Sequence, residues 1–80
     1  MSNRLFVGNL SFQTTEDDLQ QVFQDFGPVS EIRLVLDRDT GRSRGFAFVV
    51  MADDEAARKA TEGLNGQMLD GRPLRVNEAE

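Results

Sequence analysis

The chain has 80 residues, nine of them Lys or Arg against fourteen Asp or Glu, for a net charge of −5, with neither cysteine nor histidine. A chain this short makes one domain (residues 1–80) and buries only roughly 60% of the surface it exposes when unfolded, so one sheet with one layer of helices is about all it can build. Without cysteine there is no disulfide framework or thiolate metal site, and without histidine the commonest metal ligand and general base are missing, which argues against an enzyme, a metal or a cofactor. Met1 to Arg4 lead straight into a patterned segment with no long apolar run, so we expect no signal peptide, no membrane span and a cytoplasmic location. The acidic balance also weighs against a nucleic-acid partner, because phosphate attracts a positive field. That objection turns on where the charges sit.

Residues 4–10, Arg-Leu-Phe-Val-Gly-Asn-Leu, are rich in strand formers and predict a first strand. Thr14 and Thr15 then precede Glu16, Asp17 and Asp18 in the pattern of a capping box, with carboxylates at the positive end of a helix. Leu19, Val22, Phe23 and Phe26 form one apolar stripe at helical spacing, and Gly27-Pro28 ends it. A second strand is expected over Ser30–Leu36, a polar loop over Asp37–Ser43, and a third strand over Gly45–Met51. Asp53 or Asp54 can cap a second helix with a narrow face of Ala56, Ala57, Ala60 and Leu64, closed by Asn65-Gly66. Asp70-Gly71 marks a turn, and Pro73–Asn77 reads as a short last strand with its proline at the start.

Strand, helix, strand, strand, helix, strand contains two crossovers, and if both are right-handed the helices share one face of the sheet. The third strand is apolar on both sides: Ala47, Val49 and Met51 point one way, Phe46, Phe48 and Val50 the other. A strand of that kind normally belongs to a sheet covered twice, yet this chain has helix enough for one face. The expected remainder is an open face carrying Phe46 and Phe48, joined by Phe6, and such an apolar patch on a small domain marks a binding site. The inverse register would bury Arg4 with Phe6 while exposing Leu5 and Val7. By the same alternation the open face carries Arg4, Arg33 and Arg75, with Arg44 at its edge, against Glu31. The helices hold Glu16, Asp17, Asp18, Asp25, Asp53, Asp54, Glu55 and Glu62, offset by Arg58 and Lys59. The molecule is thus expected to be basic in front and acidic behind, which suits a single strand whose bases stack on rings while guanidinium groups meet phosphates.

Leu5-Phe6-Val7-Gly8-Asn9-Leu10 resembles the six-residue signature of RNA-recognition motifs, and Arg44-Gly45-Phe46-Ala47-Phe48-Val49-Val50-Met51 resembles their eight-residue signature. The resemblance covers essentially the whole chain and is most like short single-domain bacterial members. It implies an α+β, ferredoxin-like βαββαβ sandwich, a four-stranded antiparallel sheet with two helices on one face. It further implies single-stranded RNA as partner, bound by a monomer: Phe6 and Phe48 each stacking a base, Phe46 against sugars, Arg44 on phosphate. Asn9 lies within the first signature, and Asn77 and Glu78 occupy positions that in the family often contact bases through side chain or backbone. Met51 departs from the aromatic usual there, and should affect packing only.

Two alternatives remain open from the residues themselves. The open face or the acidic helices could dock a protein partner, and single-stranded DNA could replace RNA because stacking does not require the 2′-hydroxyl. Asp37, Asp39 and Gly41 faintly resemble the start of a calcium loop, but the third acid and the closing Glu are absent. Gly41 to Gly45 lacks the ending of a phosphate loop.

Overall fold

In the computed structural model, which describes residues 3–79, the chain runs β1 (Arg4–Gly8), α1 (Glu16–Gln24), β2 (Val29–Leu36), β3 (Ser43–Met51), α2 (Asp54–Leu64), β4 (Met68–Leu69), β5 (Arg72–Pro73) and β6 (Arg75–Glu78). Four strands form one sheet in the order β2-β3-β1-β6, with every neighbouring pair antiparallel, and β4 and β5 form a separate hairpin. This is the expected ferredoxin-like arrangement.

The apolar alternation fixes which face is covered. Leu5, Val7, Ala47, Val49, Met51 and Val76 from the sheet are buried in one cluster with Leu19 and Phe23 of α1 and Ala56, Ala57, Ala60 and Leu64 of α2. The alanines of α2 let that helix lie close to the strands, while Phe23 fills the space under α1. Val22 and Phe26 pack against the cluster's edge. Phe26 lies just beyond the helix, its N–H donating to the Phe23 carbonyl. Gly63 of α2 has no side chain where the Phe26 ring sits, so this helical glycine is a packing device and not a helix end.

Both helices start as the carboxylates and hydroxyls upstream of them require. Thr15 accepts from the Asp18 N–H at 3.2 Å while the Asp18 carboxylate accepts from the Thr15 N–H at 3.0 Å, a reciprocal capping box. Asp53, not Asp54, caps α2, accepting from the Ala56 N–H at 2.8 Å. Thr14 is not a cap: it is buried and its hydroxyl donates to Asp70 at 2.7 Å, tying the β1–α1 loop to the hairpin.

Several boundaries differ from expectation: β2 starts one residue early at Val29, and β3 two residues early at Ser43, which takes Ser43 out of the expected loop. β1 stops at Gly8 because Asn9 adopts a positive φ of 60°. Asp70 and Gly71, at φ 53° and 81°, make the left-handed turn of a tight hairpin. That hairpin takes Arg72 and Pro73 into β5, so the last strand begins at Arg75 and runs to Glu78. Two-residue strands carry too little periodicity to be read from sequence. No helix is long and apolar enough to cross a membrane among the described residues.

The polar β2–β3 loop is built around Asp37, whose carboxylate accepts from the Asp39 N–H at 2.8 Å and the Thr40 N–H at 3.1 Å. The carboxylate is therefore a turn cap, and no group of three candidate metal-binding side chains occurs among the described residues. The Thr40 N–H, then that of Asp39, and the nearby Arg44 charge hold Asp37 below its ordinary value of 3.8. A depressed carboxylate stabilises the turn above its unfolded pKa, and the contribution is lost as pH falls through the lower folded value. In an NMR titration the Asp39 and Thr40 amide shifts should follow Asp37 with a midpoint below 3.8; a midpoint at or above it would mean that the side chain points to solvent. A second expectation concerns Gly63→Ala. Helix propensity alone favours alanine by up to about 1 kcal/mol, whereas overpacking against the Phe26 ring costs roughly 1–3 kcal/mol. Urea unfolding should show a net loss of stability, and a more stable variant would show that Phe26 yields freely.

Candidate nucleic-acid interface

The face of the sheet away from the helices is built by register. Phe6 pairs directly with Phe48 on one side and with Asn77 on the other, and Phe48 pairs with Arg33. One row across the sheet therefore reads Arg33, Phe48, Phe6, Asn77. Arg4 pairs with Val50 and Val50 with Glu31, giving the row above, and Gly8 pairs with Arg75 below.

The three rings touch one another. Phe6 and Phe46 have centroids 5.7 Å apart and are tilted by 35°. Phe6 meets Phe48 at 5.9 Å, and Phe46 meets Phe48 edge-on at 6.3 Å. Each ring is half-buried, so the edge contacts that fix its orientation leave aromatic surface open to a ligand. Gly8 is part of this geometry. A Cβ there would stand 2.9 Å from Cε1 of Phe6, so a side chain at Gly8 would displace the ring from its place beside Phe46.

Charge is arranged around the rings. The Arg4 guanidinium lies 4.5 Å from the Phe48 centroid, a cation–π contact. Arg33, Arg44 and Arg75 are exposed, as is Glu31. On α2, Arg58 and Lys59 pair with Glu62 at 3.3 Å and Glu55 at 3.6 Å, so the helical side keeps its acidic excess. These exposed i,i+4 pairs are worth only a few tenths of a kcal/mol to the fold.

Of the residues singled out in the sequence, Phe6, Phe46, Phe48, Arg4, Arg33, Arg75 and Asn77 gather on this face, with Arg44 at its margin two residues before Phe46. Asn9 stands apart from them. Its side-chain NH2 donates to the Pro73 carbonyl at 2.7 Å and its oxygen accepts from Arg72 at 2.8 Å, so the amide holds the hairpin against the end of β1. Glu78 alternates to the helical side, lining a groove with Leu5 and residues of α2. Phe12, which is 69% exposed, is a residue that the sequence does not single out. Its position in a loop gives no periodicity, and an isolated loop aromatic is no pattern.

A family model described as RNA recognition motif matches residues 5–75. A glycine-rich RNA-binding protein of carrot, Daucus carota, is 49% identical over 77 residues, which cover 96% of this chain and 49% of that protein. The chain thus spans about half the length of the curated relatives it matches. These relatives are plant and human proteins, which corrects the expectation of a bacterial likeness. Among solved structures, the crystal structure of RNA binding protein PG1 superposes with a TM-score of 0.93 at 47% identity, covering 98% of this chain and 94% of that one. The Rna15 RRM with bound RNA (GU) gives 0.89 at 30% identity, covering 99% and 84%. Signatures, sheet order, ring geometry and these matches agree, and the chain belongs to the RNA recognition motif family.

Proposed function

We propose that this domain is a binding module, not an enzyme, and that a monomer of it holds single-stranded RNA across the open face of its sheet. The observation that carries the reading is the cluster of three mutually oriented, half-exposed phenylalanines flanked by arginines on the face that the helices leave bare. The relatives named as RNA-binding proteins and the RNA-bound Rna15 domain of the same fold support it.

In this reading Phe6 and Phe48 each stack a base and Phe46 rests against sugars, while Arg4, Arg33, Arg44 and Arg75 meet phosphates and Asn77 meets a base edge. Asn9 serves the site indirectly, by fixing the hairpin beside β6. Stacking on an aromatic side chain is worth roughly 1–3 kcal/mol, so two stacked bases supply about 2–6 kcal/mol. Micromolar affinity needs about 8 kcal/mol, so phosphate and edge contacts supply the rest.

Short single-stranded RNA pools should bind the wild type weakly to moderately, and the folded Phe6→Ala, Phe48→Ala double variant should lose about tenfold or more. A folded wild type that ignores every pool would transfer the face to a protein partner, and equal binding of the matching DNA would remove any role for the 2′-hydroxyl. With three or four arginines on phosphates, the log–log dependence of affinity on salt should have a slope of only about −2 to −3. A slope near zero would remove the arginines from the contact.

A further inference from the structure

Three large apolar side chains stand exposed among the described residues. Two of them, Phe12 at 69% and Leu36 at 50%, line one groove, while Met68 stands apart on the hairpin. The groove follows from where α1 starts. The β1–α1 loop is tied down by the Leu10 N–H, which donates to the Gly45 carbonyl at 2.9 Å, and by the Thr14 hydroxyl on Asp70. The Glu16 carboxylate then accepts from the Leu34 N–H at 2.9 Å, which sets the first turn of α1 level with Leu34. β2 runs on to Leu36, so that side chain projects past the start of the helix and stays half-exposed.

The groove, of about 780 Å³, is walled by Phe12, Leu34 and Leu36, with Glu16 and Asp17 contributed by α1 and Arg42 by the β2–β3 loop. Leu34 pairs with buried Ala47, so the groove belongs to the helical side of the sheet and not to the phenylalanine platform. The acids of the first turn are offset by no basic residue on α1. Glu16 is engaged by Leu34 and Asp18 by the cap, but the Asp17 carboxylate makes no hydrogen bond or ion pair among the described residues.

We propose that this groove docks a short segment of a partner protein that carries one or two aliphatic side chains next to a lysine or arginine. The aliphatic groups lie among Phe12, Leu34 and Leu36, and the cation meets Asp17 at the α1 end, away from Arg42. A phosphate-bearing strand would meet two carboxylates against one guanidinium there, whereas the net charge of −5 draws a cationic segment in. Because Glu16 already occupies the outward N–H of Leu34, the segment docks by its side chains and not as an added strand. The inference goes beyond RNA binding at the platform and does not rest on it.

Random peptides displayed on phage are selected on the wild type, and the recovered peptides are titrated into wild type, Leu36→Ser and Asp17→Lys, with backbone amide shifts followed in the wild type. Both replaced side chains are exposed, so both variants should fold, which a melting curve checks. The recovered peptides should carry an aliphatic residue beside Lys or Arg, and should move the amides of Asp17, Leu34 and Leu36 but not those of Phe6 and Phe48. Leu36→Ser should bind them about fivefold or more weakly. Asp17→Lys should lose roughly threefold at low salt and less at high salt. A selection that yields no peptide able to tell wild type from Leu36→Ser, or yields only acidic peptides or ones that move the platform amides, would overturn the proposal. So would an oligouridine whose binding falls in both variants, since the groove would then belong to RNA. A wild type that binds the recovered peptides at the groove but no RNA would sink the platform reading and leave this one standing.

Discussion

β3 lies in the middle of the sheet between β2 and β1, and the pleat sends Ala47, Val49 and Met51 to one side and Phe46, Phe48 and Val50 to the other. The first set is wholly buried and the second half-buried. Two helices of 9 and 11 residues cover one face and leave none for the other. The rest of the molecule accommodates this imbalance. A domain of this size cannot spare three phenylalanines from its core unless their exposure serves a purpose, since an uncovered apolar patch invites association.

The patch is tempered in two ways. Arg4 lies over the Phe48 ring, and Arg33 and Arg75 stand beside the aromatic rows, so water and charge interrupt what would be a continuous apolar surface. The sheet edges are closed by residues at the ends of the helices. Glu16, in the first turn of α1, accepts from the outward N–H of Leu34 on β2 at 2.9 Å. Asn65, the C-terminal cap of α2, accepts from the outward N–H of Val76 on β6 at 3.0 Å. Each side chain occupies a donor that would otherwise be offered to another strand. The helix ends thus help keep the sheet's associations on its face and off its edges.

What could be read from sequence was whatever repeats. Period-two alternation in β1 and β3 placed Phe6, Phe46 and Phe48 opposite Leu5, Val7, Ala47 and Val49, and helical spacing found both helices and narrowed the cap of α2 to Asp53 or Asp54. What could not be read depends on one residue meeting another far along the chain. Asn9 sits inside a signature, yet its amide is committed to Arg72 and Pro73, more than sixty positions away. Thr14 looks like one half of a double cap until its hydroxyl is found on Asp70. Gly63 carries no signal in the sequence, and only the structure shows the Phe26 ring occupying the place of its missing side chain. The hairpin of β4 and β5 is too short to announce itself.

Net charge is the property on which composition misled most. An overall charge of −5 describes the field far from the molecule, but salt screens that field over about 10 Å at 0.1 M, so a ligand lying on the sheet responds to the charges beside it. Two of the nine basic side chains are neutralised on α2 within ion pairs, and the other seven are arginines in strands and loops. The acids gather at the helix N-termini, where three of them stand in the first turn of α1 and two in that of α2, and there they favour the helix dipoles. Acidity is therefore used where it stabilises the layer behind the sheet, and the front is left basic. Apart from Glu31, the charged side chains on that front are arginines beside the aromatic rings, so the molecule is negatively charged overall while its aromatic face is basic.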